Sequence, residues 1–393
     1  MKWKNKGNEL NERAERILSV YKNQKGIYVF GAGILGEETR AILEEYGIFK
    51  GYIDNDIEKQ QYGYKGANVI SFTAYNKISE KTWIVVAASD KNIREIQSQL
   101  NAIGLYEDRD FFLYQQFVNE IFPIISFYYY KKLYVQLAQI CLTERCTLKC
   151  RKCAHACYNV PNTSEDFSLE NAKESADAFF SKFDIVKEFA LIGGEPFLYR
   201  DIKTIIKYIG KKYRDRIIIF SITTNGTILP DDEIISLCLK YDVTIRISDY
   251  SASVPRLKLQ YERLYGKLAQ NKVIVWKTDA ENSWFDYGFE EFDRGDRISD
   301  LINAFDQCRT PCREIRGSKY YYCVMARSVA DNLGMDIGQQ DYIDLATIQD
   351  RSILLEFQMG FSDKGYLEMC RYCRGAEAKN YLIPAAEQKR NNI

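Results

Sequence analysis

The sequence from residue 146 to residue 153 reads Cys-Thr-Leu-Lys-Cys-Arg-Lys-Cys, which spaces three cysteines as C-x3-C-x2-C. Closely spaced thiolates hold iron–sulfur clusters, and three ligands leave one iron of a four-iron cluster open. An open metal position is what catalysis requires. The stretch follows a predicted strand, residues 135–142, and barrel enzymes keep their chemistry at the C-terminal ends of strands. The sequence therefore predicts a catalytic cluster at the mouth of an α/β barrel.

Strand and helix patterns alternate on the C-terminal side of these cysteines. Further strands are predicted at residues 186–192, 217–223, 243–248 and 273–276. Helices are predicted at residues 168–182, 201–211, 231–240 and 256–270, with Ser168 as the N-cap of the first. A complete eight-fold barrel needs about 250 residues. The shorter series predicts a partial (β/α)6 barrel over residues 135–300.

These motifs resemble the radical S-adenosylmethionine (SAM) superfamily, which carries C-x3-C-x2-C after the first strand of a partial barrel. The matching cysteines here are Cys146, Cys150 and Cys153. The family's GGE motif, which contacts the SAM amino group, matches residues 193–195. The family places ribose and carboxylate contacts after its third and fourth strands. The resemblance therefore implies SAM contacts at Gly193, Gly194, Glu195, Thr224, Asn225, Arg246 and Ser248.

The resemblance also implies an activity. A reduced [4Fe–4S] cluster cleaves SAM to methionine and a 5′-deoxyadenosyl radical, which abstracts a hydrogen atom from the substrate. An electron donor such as flavodoxin or ferredoxin is implied as a partner. One departure concerns the residue before the third cysteine, which is commonly aromatic in the family and is Lys152 here. We expect Tyr158 to supply the missing adenine contact.

The strand pattern supports a polar site independently of the resemblance. Because side chains alternate along a strand, Thr244, Arg246 and Ser248 share one face. Polar residues also gather near the end of the strand at residues 217–223. Polar side chains at the same end of neighbouring barrel strands indicate a site and not a core.

Other interpretations of the first cysteine group remain open. Cys157 could close a four-thiolate cluster, which would make an electron-transfer module or scaffold, and a structural zinc site is a further alternative. Either alternative would leave the GGE motif without a purpose. His155, the sole histidine, is interpreted as a loop residue that orients the cluster or the substrate. Cys141 and Cys238 are most simply buried small hydrophobes.

A second group of cysteines follows residue 300. It resembles the Twitch domain, the smaller relative of the SPASM domain, which holds one auxiliary [4Fe–4S] cluster. The resemblance favours Cys312, Cys323, Cys370 and Cys373 as ligands, with Cys308 as the alternative to Cys312. The aromatic run 319–323 is expected to be one strand of a hairpin. A zinc knuckle is the alternative interpretation.

A glycine-rich turn lies near the N-terminus. Gly31-x-Gly33-x-x-Gly36 follows the apolar strand pattern 27–30, and Asp54 closes the next predicted strand. This arrangement is typical of dinucleotide-binding folds, in which the acid binds a ribose hydroxyl. The segment also resembles the Rossmann-like domains of sugar-nucleotide modifying and capsule-synthesis proteins. We predict a doubly wound Rossmann-like domain at residues 1–112 that binds a nucleotide-like ligand, with a role in packing alone as the alternative.

Composition excludes several classes of protein. The 54 Lys and Arg residues balance 54 Asp and Glu residues, so a nucleic-acid partner is disfavoured. No apolar run is long enough to span a membrane, and the first residues do not form a signal peptide. The 11 cysteines then indicate metal or redox chemistry in a cytoplasmic protein. We expect a connector at residues 113–134 and a Twitch-like domain at residues 301–393.

The substrate is expected to be a small molecule, specifically a carbohydrate, a polyol or a sugar nucleotide. The layout resembles the 2-deoxy-scyllo-inosamine dehydrogenase group, in which an auxiliary cluster accepts an electron from the substrate radical. Dehydrogenation is therefore favoured over epimerisation, which needs a hydrogen-atom donor such as Cys141 or Cys238. A peptide-modifying radical SAM enzyme is the alternative, since Twitch and SPASM domains also occur there.

Overall fold

The computed structural model describes residues 7–308, 310–335, 341–361, 364–376 and 381–389. The chain divides into two compact units, Met1–Tyr134 and Val135–Ile393. Each unit contains a mainly parallel sheet with helices between the strands, which confirms the predicted α/β class. In the part of the chain described, no helix has the length and apolar character needed to cross a membrane.

The first unit is a five-stranded parallel sheet with the order β3-β2-β1-β4-β5, as in doubly wound folds. Its strands are β1 (Ile27–Phe30), β2 (Phe49–Ile53), β3 (Val69–Ile70), β4 (Trp83–Val86) and β5 (Phe111–Leu113). Its helices are α1 (Gly7–Tyr21), α2 (Ile34–Glu45), α3 (Ile57–Tyr62), α4 (Phe72–Tyr75), α5 (Asp90–Ala102), α6 (Tyr114–Gln116) and α7 (Phe122–Tyr128), with a π-helical turn at Phe117–Ile121. Strand β4 is buried along its whole length, which explains its unbroken apolar sequence.

Strand β5 was not predicted from the sequence. Phe111 and Phe112 are both buried, and β5 pairs in parallel with β4 at the edge of the sheet. A three-residue apolar run cannot be told from the start of a helix by periodicity. The segment 113–134 follows directly and packs within the first unit, where the Tyr130 and Tyr21 hydroxyls are 2.7 Å apart.

The second unit contains the predicted series of strands and helices. Its first strands are β6 (Tyr134–Cys141), β7 (Ile185–Ile192), β8 (Ile217–Thr224), β9 (Val243–Ile247) and β10 (Val275–Lys277). The helices between them are α8 (Leu169–Lys182), α9 (Ile202–Lys212), α10 (Asp232–Tyr241) and α11 (Lys258–Gln270). The Ser168 hydroxyl accepts a hydrogen bond from the Asn171 N–H, so this N-cap prediction is confirmed.

A sixth parallel strand extends the sheet at the opposite edge from β10. Strand β12 (Arg313–Arg316) pairs in parallel with β6, and it continues antiparallel into β13 (Lys319–Tyr321) and β14 (Tyr342–Asp344). The resulting sheet has the order β10-β9-β8-β7-β6-β12-β13-β14. The aromatic run at residue 319 thus forms a hairpin strand, as expected, but the hairpin joins the barrel sheet.

The remaining elements lie around that hairpin. A small antiparallel sheet pairs β11 (Ser283–Phe285) with β15 (Leu382–Pro384). The helices are α12 (Ile298–Gln307), α13 (Met325–Leu333) and α14 (Arg351–Gln358). The barrel and the cysteine-rich segment therefore share one sheet and one compact unit.

Candidate cluster-binding site

The first three cysteines gather in one apolar cluster. Cys146 and Cys150 are buried, Cys153 is partly buried, and Leu148 and Val254 pack among them. The loop that carries them begins where β6 ends. The loop at the end of this parallel strand thus brings the three thiols together, as the spacing of the cysteines predicts.

The GGE motif runs alongside the start of this loop. The N–H groups of Gly194 and Glu195 donate to the carbonyls of Thr143 and Arg145 at 2.8 and 2.9 Å. A Cβ at Gly194 would lie 2.8 Å from the Cβ of Cys146, closer than side chains approach. A glycine is therefore required at this position so that the two loops can pair.

The Glu195 carboxylate is fully buried and is held by protein donors. It accepts hydrogen bonds from the Thr224 hydroxyl at 2.8 Å, the Asn225 N–H at 2.9 Å and the Phe197 N–H at 3.1 Å. Burial raises the pKa of Glu195 to about 7, although these hydrogen bonds act in the opposite direction. Glu195 thus ties the end of β7 to the end of β8.

Asn225 connects this network to the cysteines. Its amide group donates to the Cys146 sulfur at 3.4 Å and to the Thr147 hydroxyl at 3.2 Å. Its side-chain oxygen accepts from the Thr227 N–H at 3.0 Å, which fixes the orientation of the amide. The family resemblance implies SAM contacts at Asn225 and at the GGE motif. In the structure both lie beside Cys146.

Arg246 lies farther from the cysteines on β9, inside the barrel. Its guanidinium donates to Glu188 at 2.7 Å and lies 4.4 Å from the centre of the Trp276 ring. The Ser221 hydroxyl donates to the same carboxylate at 2.6 Å. At Ser248 the backbone N–H bonds to the Thr224 carbonyl at 2.9 Å, which continues the ladder between β8 and β9.

Glu188 and Trp276 were missed from the sequence. Glu188 could have been found, because a carboxylate in the apolar strand Ile-Val-Lys-Glu-Phe-Ala-Leu-Ile must be paired if it is buried. Its partners come from β8 and β9, and a single sequence does not specify their register.

Lys152 and Tyr158 both contact a neighbouring loop. The Lys152 ammonium pairs with Glu291 at 2.5 Å, and the Tyr158 hydroxyl donates to Glu290 at 2.8 Å. Tyr158 packs against the cluster that contains the second cysteine group. The aromatic side chain that packs beside the first group is Tyr250, whose ring contacts Trp284 edge-on.

Cys157 places a fourth sulfur beside the first three. It is buried in the same cluster, and its side chain hydrogen-bonds Cys153. That contact is the largest influence on Cys153 and lowers its pKa to about 7. Cys157 is therefore a candidate fourth ligand beside the three cysteines of the C-x3-C-x2-C motif.

A thiol, a carboxylate and an imidazole also lie within 4.8 Å of one another, at Cys141, Glu144 and His155. A cation is disfavoured here, because the fully buried guanidinium of Arg327 pairs with both Glu144 and Glu314. Burial lowers the pKa of His155 to about 4. We interpret this group as an ion-pair network that anchors the cysteine loop to α13.

The second cysteine group lines an apolar cavity. The cysteines that line it are Cys308, Cys323, Cys370 and Cys373. The Gly375 N–H donates to the Cys373 sulfur at 3.3 Å, and the Ala376 N–H donates to the Cys308 sulfur at 3.5 Å. The sequence favoured Cys312 over Cys308 as the fourth ligand, and that choice stays a prediction; of the two, Cys308 is the one that lines this cavity.

Cys312 directly precedes β12, whose first residue pairs with Ala138 of β6, and it packs against the surrounding apolar cluster, as Cys370 does. Cys308 ends α12, from which its sulfur reaches the cavity. Cys308 thus follows the end of a helix and Cys312 precedes the start of a strand, which the spacing C-x3-C alone does not reveal.

The glycine turn of the first unit has the backbone that its sequence predicts. Gly31 has a φ of +112°, and a Cβ there would lie 2.5 Å from the Ala87 carbonyl oxygen. Gly33 is the N-cap of α2, and a Cβ at Gly36 would overlap the Gly31 carbonyl. Only glycine suits the first and third of these positions.

Asp54 reaches this turn from the end of β2. Its carboxylate accepts from the Ala32 N–H at 2.8 Å and from the Asp56 N–H at 2.9 Å. The Lys59 ammonium lies 3.1 Å from the same group. Asp54, the residue predicted to bind a ribose, thus holds the glycine turn in place.

Comparison with known proteins finds a family that matches part of the chain. Residues 140–248 match the model of the radical SAM superfamily. Over 93 residues the chain is 28% identical to GTP 3′,8-cyclase of Erythrobacter litoralis (strain HTCC2594). The aligned region covers 24% of this chain and 27% of that protein. The chain therefore spans about a quarter of the length of this curated relative.

Solved structures with partial similarity include three proteins with bound S-adenosylmethionine. The complex of BtrN with AdoMet and 2-DOIA has a TM-score of 0.40 and 14% identity, covering 63% of this chain and 98% of that one. Native anSMEcpe with AdoMet and the Cp18Cys peptide has a TM-score of 0.30 and 18% identity, with 37% and 42% covered. Streptococcus suis SuiB bound to S-adenosylmethionine has a TM-score of 0.29 and 17% identity, with 39% and 34% covered.

The family match includes the first three cysteines, the GGE motif and Asn225, which are the groups that the structure brings into contact. The family implies SAM and a [4Fe–4S] cluster as cofactors. Over residues 140–248 this chain is similar to the radical SAM superfamily.

Proposed function

We propose that this radical SAM enzyme holds its cluster through Cys146, Cys150 and Cys153. One observation carries the proposal: Asn225 donates to the Cys146 sulfur through its side chain and to Glu195 through its backbone. The three motifs that the family devotes to the cluster and to SAM are thereby in mutual contact. A structural zinc site would give the buried carboxylate no reason to be there.

The residues present suit a four-iron cluster with one open iron. The donors are three sulfurs in apolar surroundings, and N–H groups of Leu148, Asn225 and Gln388 donate to two of them. Such hydrogen bonds accompany cluster thiolates. When bound, the cluster supplies the electron that cleaves SAM to methionine and a 5′-deoxyadenosyl radical. The protein's part is to fix the cysteines through Asn225 and to exclude water with Tyr250 and its neighbours.

We further propose that the second cavity holds an auxiliary [4Fe–4S] cluster. Four thiols line it, its other lining residues are largely apolar, and two backbone N–H groups point at its sulfurs. A zinc knuckle has the same ligand number, so the metal itself has to be measured.

The proposed substrate is a carbohydrate, a polyol or a sugar nucleotide, and the proposed reaction is dehydrogenation. Oxidation of an alcohol removes a hydrogen atom from carbon, a proton from oxygen and one further electron. Four cysteines provide a place for an acceptor of that electron. The thiols considered as hydrogen-atom donors for epimerisation are enclosed: Cys141 donates to Glu144 at 3.3 Å, and Cys238 is buried on α10.

Incubation of the reduced enzyme with SAM and deuterated substrates tests the proposed function. Sugar nucleotides and aminocyclitols labelled at each carbinol carbon are expected to transfer deuterium to 5′-deoxyadenosine and to yield a product that has lost two hydrogens. A product of unchanged hydrogen count that carries solvent hydrogen would show epimerisation instead. Label transfer from a peptide carbon, and from no carbohydrate, would contradict the substrate class.

The first unit is proposed to bind a nucleotide-like ligand at the Gly31 turn. Support comes from the glycine turn at the start of α2, where anions are favoured, and from Asp54 beside it. Asp54→Asn preserves an oxygen for the Ala32 N–H but removes the charge, so binding is expected to weaken by roughly 1–3 kcal/mol. Calorimetry of the full chain with NAD and several sugar nucleotides measures the change.

Glu80→Gln is a matched control for that experiment, since Glu80 is exposed and precedes β4, at the opposite end of the parallel strands from the glycine turn. It is expected to bind as the unchanged chain does. If none of the ligands produces heat with the unchanged chain, the glycine turn serves packing only.

A further inference from the structure

The end of the described chain returns to the first cysteine group. Strand β15 pairs with β11, and the Asp286 N–H donates to the Tyr381 carbonyl at 2.9 Å. From there residues 385–389 pass along the cysteine loop. We call residues 382–389 the C-terminal strap.

Two backbone hydrogen bonds join the strap to the cysteine loop. The Arg151 N–H donates to the Glu387 carbonyl, and the Lys389 N–H donates to the Lys149 carbonyl, both at 2.6 Å. They flank the pair Cys150 and Gln388, which face each other in an antiparallel bridge. In a pair flanked in this way the two side chains lie on the same face and at their closest. The Gln388 side chain is therefore placed beside the Cys150 sulfur.

The orientation of the Gln388 carboxamide is fixed by its partners. The backbone N–H of Lys149 donates to Oε1 at 3.0 Å. Because this N–H can only donate, the oxygen must face it. The nitrogen Nε2 then faces the Cys150 sulfur at 3.2 Å and the Ala386 carbonyl at 2.7 Å.

Ala386 anchors the strap under the same loop. Its side chain is fully buried in the cluster with Cys146, Cys150 and Cys157. Its φ is +57°, a left-handed conformation that residues with a Cβ rarely adopt. Such strain persists only where the surrounding structure imposes it, and it concentrates at functional sites. The strap is therefore held firmly against the cysteines and does not lie loosely on the surface.

We propose that the C-terminal strap is part of the cluster site and that Gln388 is a positioning residue for Cys150. In this role its N–H group donates to the Cys150 thiolate and raises the reduction potential of the cluster. A reduced cluster carries more negative charge on its sulfurs, so a hydrogen-bond donor stabilises it more than the oxidised form. This inference rests on the proposed function, because it requires a cluster on Cys150.

A redox titration followed by electron paramagnetic resonance tests the proposal. Gln388→Leu removes the donor with little change in size, and Gln388→Glu replaces it with a negative charge. Both leave intact the two hydrogen bonds between backbone groups, from the Arg151 N–H to the Glu387 carbonyl and from the Lys389 N–H to the Lys149 carbonyl. The signal that changes when SAM is added identifies the relevant cluster.

We expect Gln388→Leu to disfavour reduction about tenfold, which is about 59 mV for one electron, and Gln388→Glu to lower the potential further. Gln270→Leu, an exposed glutamine at the end of α11, is the control and should not change the potential. Equal potentials in the unchanged chain and both Gln388 variants would overturn the proposal.

Iron content provides a second readout. Loss of iron from Gln388→Leu with an unchanged unfolding midpoint of the iron-free protein would also support the positioning role, because the midpoint shows that loss of the bonds to Lys149 and Ala386 has not destabilised the fold. If Gln388→Leu instead fails to fold, Gln388→Asn keeps a carboxamide but withdraws it from the sulfur. Its potential is expected to fall between those of the unchanged chain and Gln388→Glu, and no shift would overturn the proposal.

A separate measurement distinguishes failure of this inference from failure of the proposed function. If the unchanged chain assembles no cluster, or if Cys150→Ala retains all its iron, the proposed function fails. If the unchanged chain binds iron and cleaves SAM, and Cys150→Ala does not, an unchanged potential in the Gln388 variants refutes the strap alone.

Discussion

Cys150→Ala is expected to reduce the formation of 5′-deoxyadenosine from SAM to the background rate. The variant leaves two sulfurs of the three that the open cluster needs, and it also removes the sulfur that Gln388 contacts. Reconstituted, reduced protein with SAM provides the assay, and chromatography of 5′-deoxyadenosine provides the measurement. No substrate has to be known, since slow cleavage is expected without one.

Cys157→Ala is the matched control for this experiment. Cys157 is as buried as Cys150, lies in the same cluster and hydrogen-bonds Cys153, so its loss perturbs the loop to a similar degree. With an open iron at the site, we expect Cys157→Ala to retain most of the cleavage activity. A chain in which Cys157→Ala and Cys150→Ala are equally inactive would instead favour the four-thiolate electron-transfer module.

The parts of the fold that depend on local pattern could be predicted. Strands β1 and β2 occur at the residues expected, because a short apolar run bounded by turn signals has few alternatives. The start of α8 at Ser168 follows from its capping hydroxyl. These features require only residues close in sequence.

Features that depend on distant pairing could not be predicted. Strand β12 pairs with β6 across more than half of the second unit, and nothing in its four residues specifies that edge. The bond from Gln388 to Cys150 spans 238 residues. A single sequence contains the pattern of each partner but not the register that brings them together.

The candidate site shows the same division. The spacing of Cys146, Cys150 and Cys153 predicted that they would gather, because a short loop at the end of a strand confines them. It did not predict that the Glu195 carboxylate would be occupied by Thr224 and Asn225. A sequence motif identifies which residue belongs to the site. The hydrogen-bond partners of a buried carboxylate such as Glu195 depend on how distant segments pack together.

Cys308→Ala is expected to halve the iron content of the reconstituted protein, from about eight atoms per chain to about four, whereas Cys312→Ala should leave it near eight. Cys308 lines the cavity together with Cys323, Cys370 and Cys373, and Cys312 does not. An alanine at Cys308 would leave three thiols in an apolar cavity, too few for a closed auxiliary cluster. Iron and sulfide analysis of the anaerobically reconstituted variants gives the measurement.

Zinc analysis of the same samples separates the two kinds of metal site. Iron near four atoms in the unchanged chain, together with about one zinc ion per chain, would indicate a zinc knuckle. The reverse iron contents, with Cys312→Ala depleted and Cys308→Ala intact, would return Cys312 to the ligand set that the sequence favoured.

Burial raises the pKa of Cys312 to about 11, so an unligated Cys312 remains a thiol at neutral pH. A protonated thiol that is not a ligand can give up a hydrogen atom. The iron content of Cys312→Ala therefore also determines whether this residue has to be tested as a donor in the deuterium experiment.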